Sequence, residues 1–153
     1  MDNLHVTSYF IGETGLGDLS AIKEKIGTVA LNMQSIELVL DRISLWPARK
    51  PYMVWAIFQE NSLFTNLNRM LEWELTGIRG NGPVVPHITL ARFKEYTDTR
   101  QVKLDSIEFP DHLLVDHIIL FESRLSGQGP TYFPLVRFPL GASPPPPGIR
   151  ESK

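Results

Sequence analysis

Hydrophobic and polar positions along this chain fall into blocks whose period changes at recognisable punctuation. Residues 4–11 are rich in β-branched and aromatic side chains and close at Gly12, a strand pattern. Asp18 then stands as the N-cap of a helix. Its apolar positions Leu19, Ile22, Ile26, Val29, Ala30 and Met33 share one face, with Gly27 as the one weak point. Alternation resumes with Ile36, Leu38 and Leu40 in a strand over about 35–45, and Pro47 and Pro51 bracket a basic loop holding Arg49 and Lys50. The continuous apolar run 52–58 suits a buried central strand. Asn61 or Ser62 caps a second helix that carries Leu63, Leu67, Met70, Leu71 and Leu75 inward and stops at Gly77.

A Gly/Pro/Asn loop over 79–86 delivers the chain into a strand at 87–93. Further strands are predicted at 102–109, 114–122 and 132–140, with a turn at 127–129 between the last two. Residues 141–153 contain Pro144–Pro147 and no apolar periodicity, so they read as an extended or disordered tail, with a proline-binding partner as the minor alternative. Two helices among about six strands predict an α+β fold: one domain over residues 1–140 and a Pro-rich tail over 141–153.

Composition narrows the function. With 42% hydrophobic residues the chain can build a core, and a formal net charge of −2 disfavours gripping long nucleic acid by charge alone, although a small phosphate group needs only local cations. The absence of cysteine excludes disulfides, thiolate metal sites and a cysteine nucleophile. No run is long enough to span a bilayer and no signal-like segment opens the chain, which points to a cytoplasmic setting.

Two of the four histidines occupy the same triplet, His5-Val6-Thr7 and His87-Ile88-Thr89. On a strand, residues i and i+2 point to one face, so each triplet presents an imidazole beside a hydroxyl. Displacement at phosphorus needs a base for the nucleophile and an acid for the leaving oxygen. Two imidazoles, with reference pKa values of about 6.5, can supply both at neutral pH. The threonine hydroxyls can donate to non-bridging phosphate oxygens and hold the group in line. The bland alternative is two unrelated, half-buried histidines satisfied by the backbone.

The run Asn3-Leu4-His5-Val6-Thr7 through Phe10-Ile11-Gly12-Glu13 resembles the first signature of the two-histidine phosphoesterases, in particular the bacterial and archaeal RNA 2',3'-cyclic phosphodiesterases known as 2'-5' RNA ligases. Pro86-His87-Ile88-Thr89-Leu90-Ala91-Arg92 is similar to their second signature. Leu120-Phe121-Glu122-Ser123 followed by Gly129-Pro130-Thr131-Tyr132 is similar to their closing hairpin, so the resemblance covers roughly residues 3–140. It implies two pseudo-symmetric lobes of antiparallel sheet backed by helices around a central cleft. It also implies metal-independent hydrolysis of RNA 2',3'-cyclic phosphate ends to a 2'-phosphate, with reversible 2'-5' joining in some members, and no cofactor. Under it His5 is the general acid, His87 the general base, Thr7 and Thr89 bind the phosphate, and Arg92 adds a cation. The partners implied are RNA ends or small cyclic nucleotides. Arg92 lies five residues after His87, so strict alternation puts it on the opposite face unless the strand ends or twists.

Ser8 replaces a usual leucine, a change expected to touch packing rather than chemistry. Family members usually carry a strand, a helix and a further segment before the first motif, so an exposed edge is expected, with three explanations open: a start site assigned too late, a truncation with a compensating homodimer, or a degraded enzyme. Two other readings stay open: a catalytically idle module that binds RNA ends or nucleotides, and a metal-dependent hydrolase using His5, His87 and His117. The cluster Asp111, His112, Asp116 and His117 matches no recognised ligand spacing and reads as a solvated loop entering a strand. Trp46, Trp55 and Trp73 read as core residues. Tyr9 shares the face of His5, with core and cleft equally open. Arg49 and Lys50 could steer an RNA end, but a solvated loop is the plainer reading.

Overall fold

The computed structural model describes residues 4–94, 98–126 and 129–141, so the tail predicted over 141–153 lies outside the described residues from position 142 onward. Helices α1 (Leu19–Leu31) and α2 (Ser62–Thr76) accompany six strands: β1 (Ile36–Trp46), β2 (Met53–Phe58), β3 (His87–Arg92), β4 (His112–Val115), β5 (His117–Ser126) and β6 (Gly129–Pro139). Every pairing is antiparallel. One sheet has the order β3-β2-β1-β4 and the other is the β5-β6 hairpin, so the predicted α+β class holds.

The apolar face of the larger sheet is set by alternation. Ile36, Leu38, Ala56, Phe58 and Ile88 point to one side, where they meet Ile26, Val29, Ala30 and Met33 of α1 and Phe64, Leu67 and Leu71 of α2 in a single core. Leu120 of β5 and Leu140, which directly follows β6, join that core, and Phe138 packs against it. The helix stop at Gly77 was legible: the glycine takes φ 72°, a left-handed turn that other residues resist, and its N–H closes onto the Trp73 carbonyl. The N-cap resolves to Asn61, whose side chain accepts from the Phe64 N–H at 3.0 Å.

Several expectations fail for identifiable reasons. Asp18 stands at the N-cap position of α1, as expected, without capping it through its side chain. A 3-10 turn over Leu16–Asp18 feeds the helix, and Asp18 already has helical dihedrals with no side-chain cap bond. Residues 102–109 form no strand. Local bonds from Val102 N–H to Thr99, Ile107 N–H to Leu104 and Ser106 to Lys103 curl the segment, while Phe109 anchors it edge-on to Phe58. The strand expected over 114–122 divides at Asp116, which lets the chain leave β1's edge and start the hairpin. Among the described residues, 4–11 form no ladder and make one antiparallel bridge, Val6 to Ile88.

Candidate active site

That single bridge organises the site. Val6 and Ile88 are directly opposed and both turn toward the core, so the residues flanking them turn the other way, onto the open face of the sheet. Antiparallel geometry then sets His5 opposite Thr89 and Thr7 opposite His87. The two imidazoles then lie on a diagonal, a relation that spans roughly 7–8 Å in sheets. His5, His87 and Thr89 are half-buried and Thr7 is exposed.

His87 is held by the backbone just before its strand. Its Nδ1 lies 3.2 Å from the carbonyl of Val85, and because a carbonyl can only accept, Nδ1 carries the proton. In the neutral ring Nε2 is therefore the basic nitrogen. The ring plane is held by Trp55, which stacks on it at 3.9 Å with 22° between planes; Trp55 stacks in turn on Trp46 at 4.5 Å and 15°. The Trp55 Nε1 is buried without a hydrogen-bond partner among the described residues, so stacking and packing hold this ring.

His5 is held by elements distant in sequence. Its ring meets Tyr132 edge-on at 4.7 Å and Phe121 at 5.9 Å, both from the hairpin. The backbone next to it is tethered by Asn68 of α2, whose amide donates to the Ser8 carbonyl. Ser8 thus has a structural partner on its backbone while its side chain takes the parity opposite to the triplet, as its position implies.

Arg92 reaches the histidine face because the strand is irregular. Val54 pairs with Ala91 and Trp55 with Thr89, so Leu90 is an extra residue, a β-bulge that reverses the alternation beyond it. Arg92 then sits opposite Met53, on the face of Trp55, His87 and Thr89, with its Nη1 2.8 Å from the Met53 sulfur. A second bulge at Asp41 similarly puts Arg42, Ser44 and Trp46 on that face.

The remaining expectations sort as follows. Trp46 and Trp73 are 41% and 46% exposed, so neither is a core residue: Trp46 caps the stack and Trp73 lies under the Arg79 guanidinium. Trp55, half-buried, belongs to the histidine's surroundings. Its role was hidden because an uninterrupted apolar run does not say which residues face which side. Phe121 and Tyr132 had a signal, the hairpin signature, but no assigned role. Tyr9 packs against the core and borders a separate concavity with Glu13, Lys25 and Leu75, which holds neither triplet. His112 pairs with Glu37 and His117 with Asp116 and Arg137, and the His117 hydrogen bond holds the Asp116 carboxyl below its ordinary value. No group of three or more histidines and carboxylates converges among the described residues. No helix among them is long and apolar enough to cross a membrane.

No protein-family model matches the chain. Individual proteins do. The RNA 2',3'-cyclic phosphodiesterase of Thermotoga maritima is 27% identical over 135 residues, spanning 86% of this chain and 72% of that protein. The protein of the same name from Methanothermobacter thermautotrophicus is 26% identical over 147 residues, spanning 91% and 79%. Among solved structures, apo LigT of E. coli superposes with a TM-score of 0.71 at 27% identity, covering 92% of this chain and 78% of that one. TT0787 of Thermus thermophilus gives 0.72 at 27% identity, covering 90% and 78%. In sequence over most of its length, in fold and in its two His-x-Thr triplets, this chain is similar to the RNA 2',3'-cyclic phosphodiesterases and to LigT-like structures, a likeness that supports the two-histidine phosphoesterase family.

Proposed function

We propose that the chain hydrolyses RNA 2',3'-cyclic phosphate ends to 2'-phosphates in the cytoplasm, without a metal, by paired histidine acid–base catalysis. The observation that carries this reading is the Val6–Ile88 bridge, which supports both imidazole–hydroxyl pairs lying on the sheet face away from the core. The names of the relatives support the reaction. LigT of E. coli, crystallised with phosphate, with 3'-AMP and with ATP, supports a nucleotide-sized ligand.

In this reading His87 Nε2 takes a proton from a water molecule, whose oxygen forms the new bond to phosphorus. The bond from phosphorus to the 3' oxygen breaks opposite it, and His5, entering protonated, delivers its proton to that oxygen. The product carries a 2'-phosphate and a free 3'-hydroxyl. Thr7 and Thr89 donate to the non-bridging oxygens, and Arg92 offsets the charge that builds on them. The Val85 carbonyl supports the assignment of His87 as base, since it takes the Nδ1 proton and, in the neutral ring, makes Nε2 the basic nitrogen.

The test is turnover of a short RNA ending in a 2',3'-cyclic phosphate with EDTA present. Conversion to the 2'-phosphate is expected. Folded protein that binds this end without converting it would make the chain an idle binding module, and activity abolished by EDTA would make it a metal enzyme.

A further inference from the structure

We propose that Trp46 is the stacking platform for the nucleobase one position upstream of the cyclic phosphate, so that the open sheet face accepts an oligonucleotide and not only a terminal nucleotide. The proposal rests on the phosphodiesterase reading, because it needs the phosphate at His87. Trp46, Trp55 and His87 come from three adjacent strands and form one column of nearly parallel rings. Trp55 is covered on both sides, whereas Trp46, at the end of the column, is 41% exposed. A planar base added there continues an existing stack rather than starting one, and an aromatic platform that binds through its π-face tolerates every base.

The position of the column selects which base. The base of the nucleotide that carries the cyclic phosphate is tied through its own ribose to the space between the imidazoles. The free end of the column is two stacking steps away, at 3.9 and 4.5 Å, which suits the next nucleotide along the strand. Charge agrees. Exposed Arg49 and Lys50 follow Trp46 in the loop to β2, and Arg42, paired with Asp41, shares its sheet face, so cations border the path of the internucleotide phosphate.

The experiment compares kcat/KM of wild type and Trp46→Ala on a trinucleotide ending in a 2',3'-cyclic phosphate and on a mononucleoside 2',3'-cyclic phosphate. The variant should lose about tenfold more on the trinucleotide than on the mononucleotide, with Trp46→Phe keeping most of the trinucleotide rate. An equal loss on both substrates would mean that Trp46 acts through Trp55 on His87, and no loss on either would mean that no base rests there; both overturn the proposal. A titration independent of turnover uses the trinucleotide ending in a 2'-phosphate and reads tryptophan fluorescence. Its Kd should weaken about tenfold in Trp46→Ala, and an unchanged Kd overturns the proposal. Wild type that converts neither substrate would defeat the phosphodiesterase reading instead, and the titration would still decide the platform.

Discussion

The two His-x-Thr triplets are alike in sequence and unlike in support. His87 stands on β3, laddered to β2 over its length, with its tautomer set by Val85 two residues away and its plane set by a tryptophan from the neighbouring strand. His5 stands on a segment with one bridge, and its ring is placed by Phe121 and Tyr132, more than a hundred residues along the chain. The difference suits the two tasks proposed for them. The proposed general base needs one particular nitrogen for the proton, and the backbone carbonyl at Nδ1 selects Nε2 in the neutral ring. A general acid must meet the leaving oxygen at the right place, and a ring held by packing from a separate hairpin has its position coupled to the far wall of the site.

The largest effect expected is loss of about a thousandfold in turnover for His5→Ala and for His87→Ala alike, with circular dichroism unchanged. A smaller loss at one histidine would unbalance the pair and assign its step to another group. Next, Tyr132→Leu should lower kcat by about tenfold to a hundredfold through misplacement of His5, with KM nearly constant. A pure KM effect would make Tyr132 a substrate contact instead. Asn68→Ala removes the tether to the Ser8 carbonyl and should cost about 1 kcal/mol in urea unfolding. It should also make amides in 6–10 exchange faster while those of β3 stay protected, and uniform change across both would erase the contrast in support.

The smallest effect concerns Asp116. Its carboxyl sits below the ordinary value of 3.8, first because of the hydrogen bond with His117, so the unfolded chain takes up this proton before the folded one does. The resulting stabilisation is present above about pH 4 and fades as pH falls through the lower, folded value. Asp116→Asn should therefore flatten the acid limb of the stability profile slightly and leave activity intact.

Much of this was legible in the residues. Period-2 alternation showed that each triplet pairs an imidazole with a hydroxyl, and the start of the second helix at Asn61 or Ser62 and its stop at Gly77 followed from capping chemistry. What alternation cannot reveal is an insertion in the alternation itself. The extra residue Leu90 puts Arg92 on the histidine face, where parity counting alone would send it to the other. Nor could periodicity place Trp55 against His87, because that contact depends on the register between two strands separated by a helix and a loop. The false strand at 102–109 had apolar residues at suitable spacing, but they anchor a turn-rich segment to the core instead of entering a sheet.

The division of labour between the two histidines is tested most directly by replacing the leaving 3' oxygen with sulfur. A 2',3'-cyclic phosphorothiolate expels a thiolate that needs no proton. On this substrate His5→Ala should recover most of the wild-type rate, while His87→Ala, still lacking the base that activates water, should remain impaired by about a thousandfold. Recovery of His87→Ala in place of His5→Ala would reverse the assignment, and recovery of neither would contradict the acid–base account.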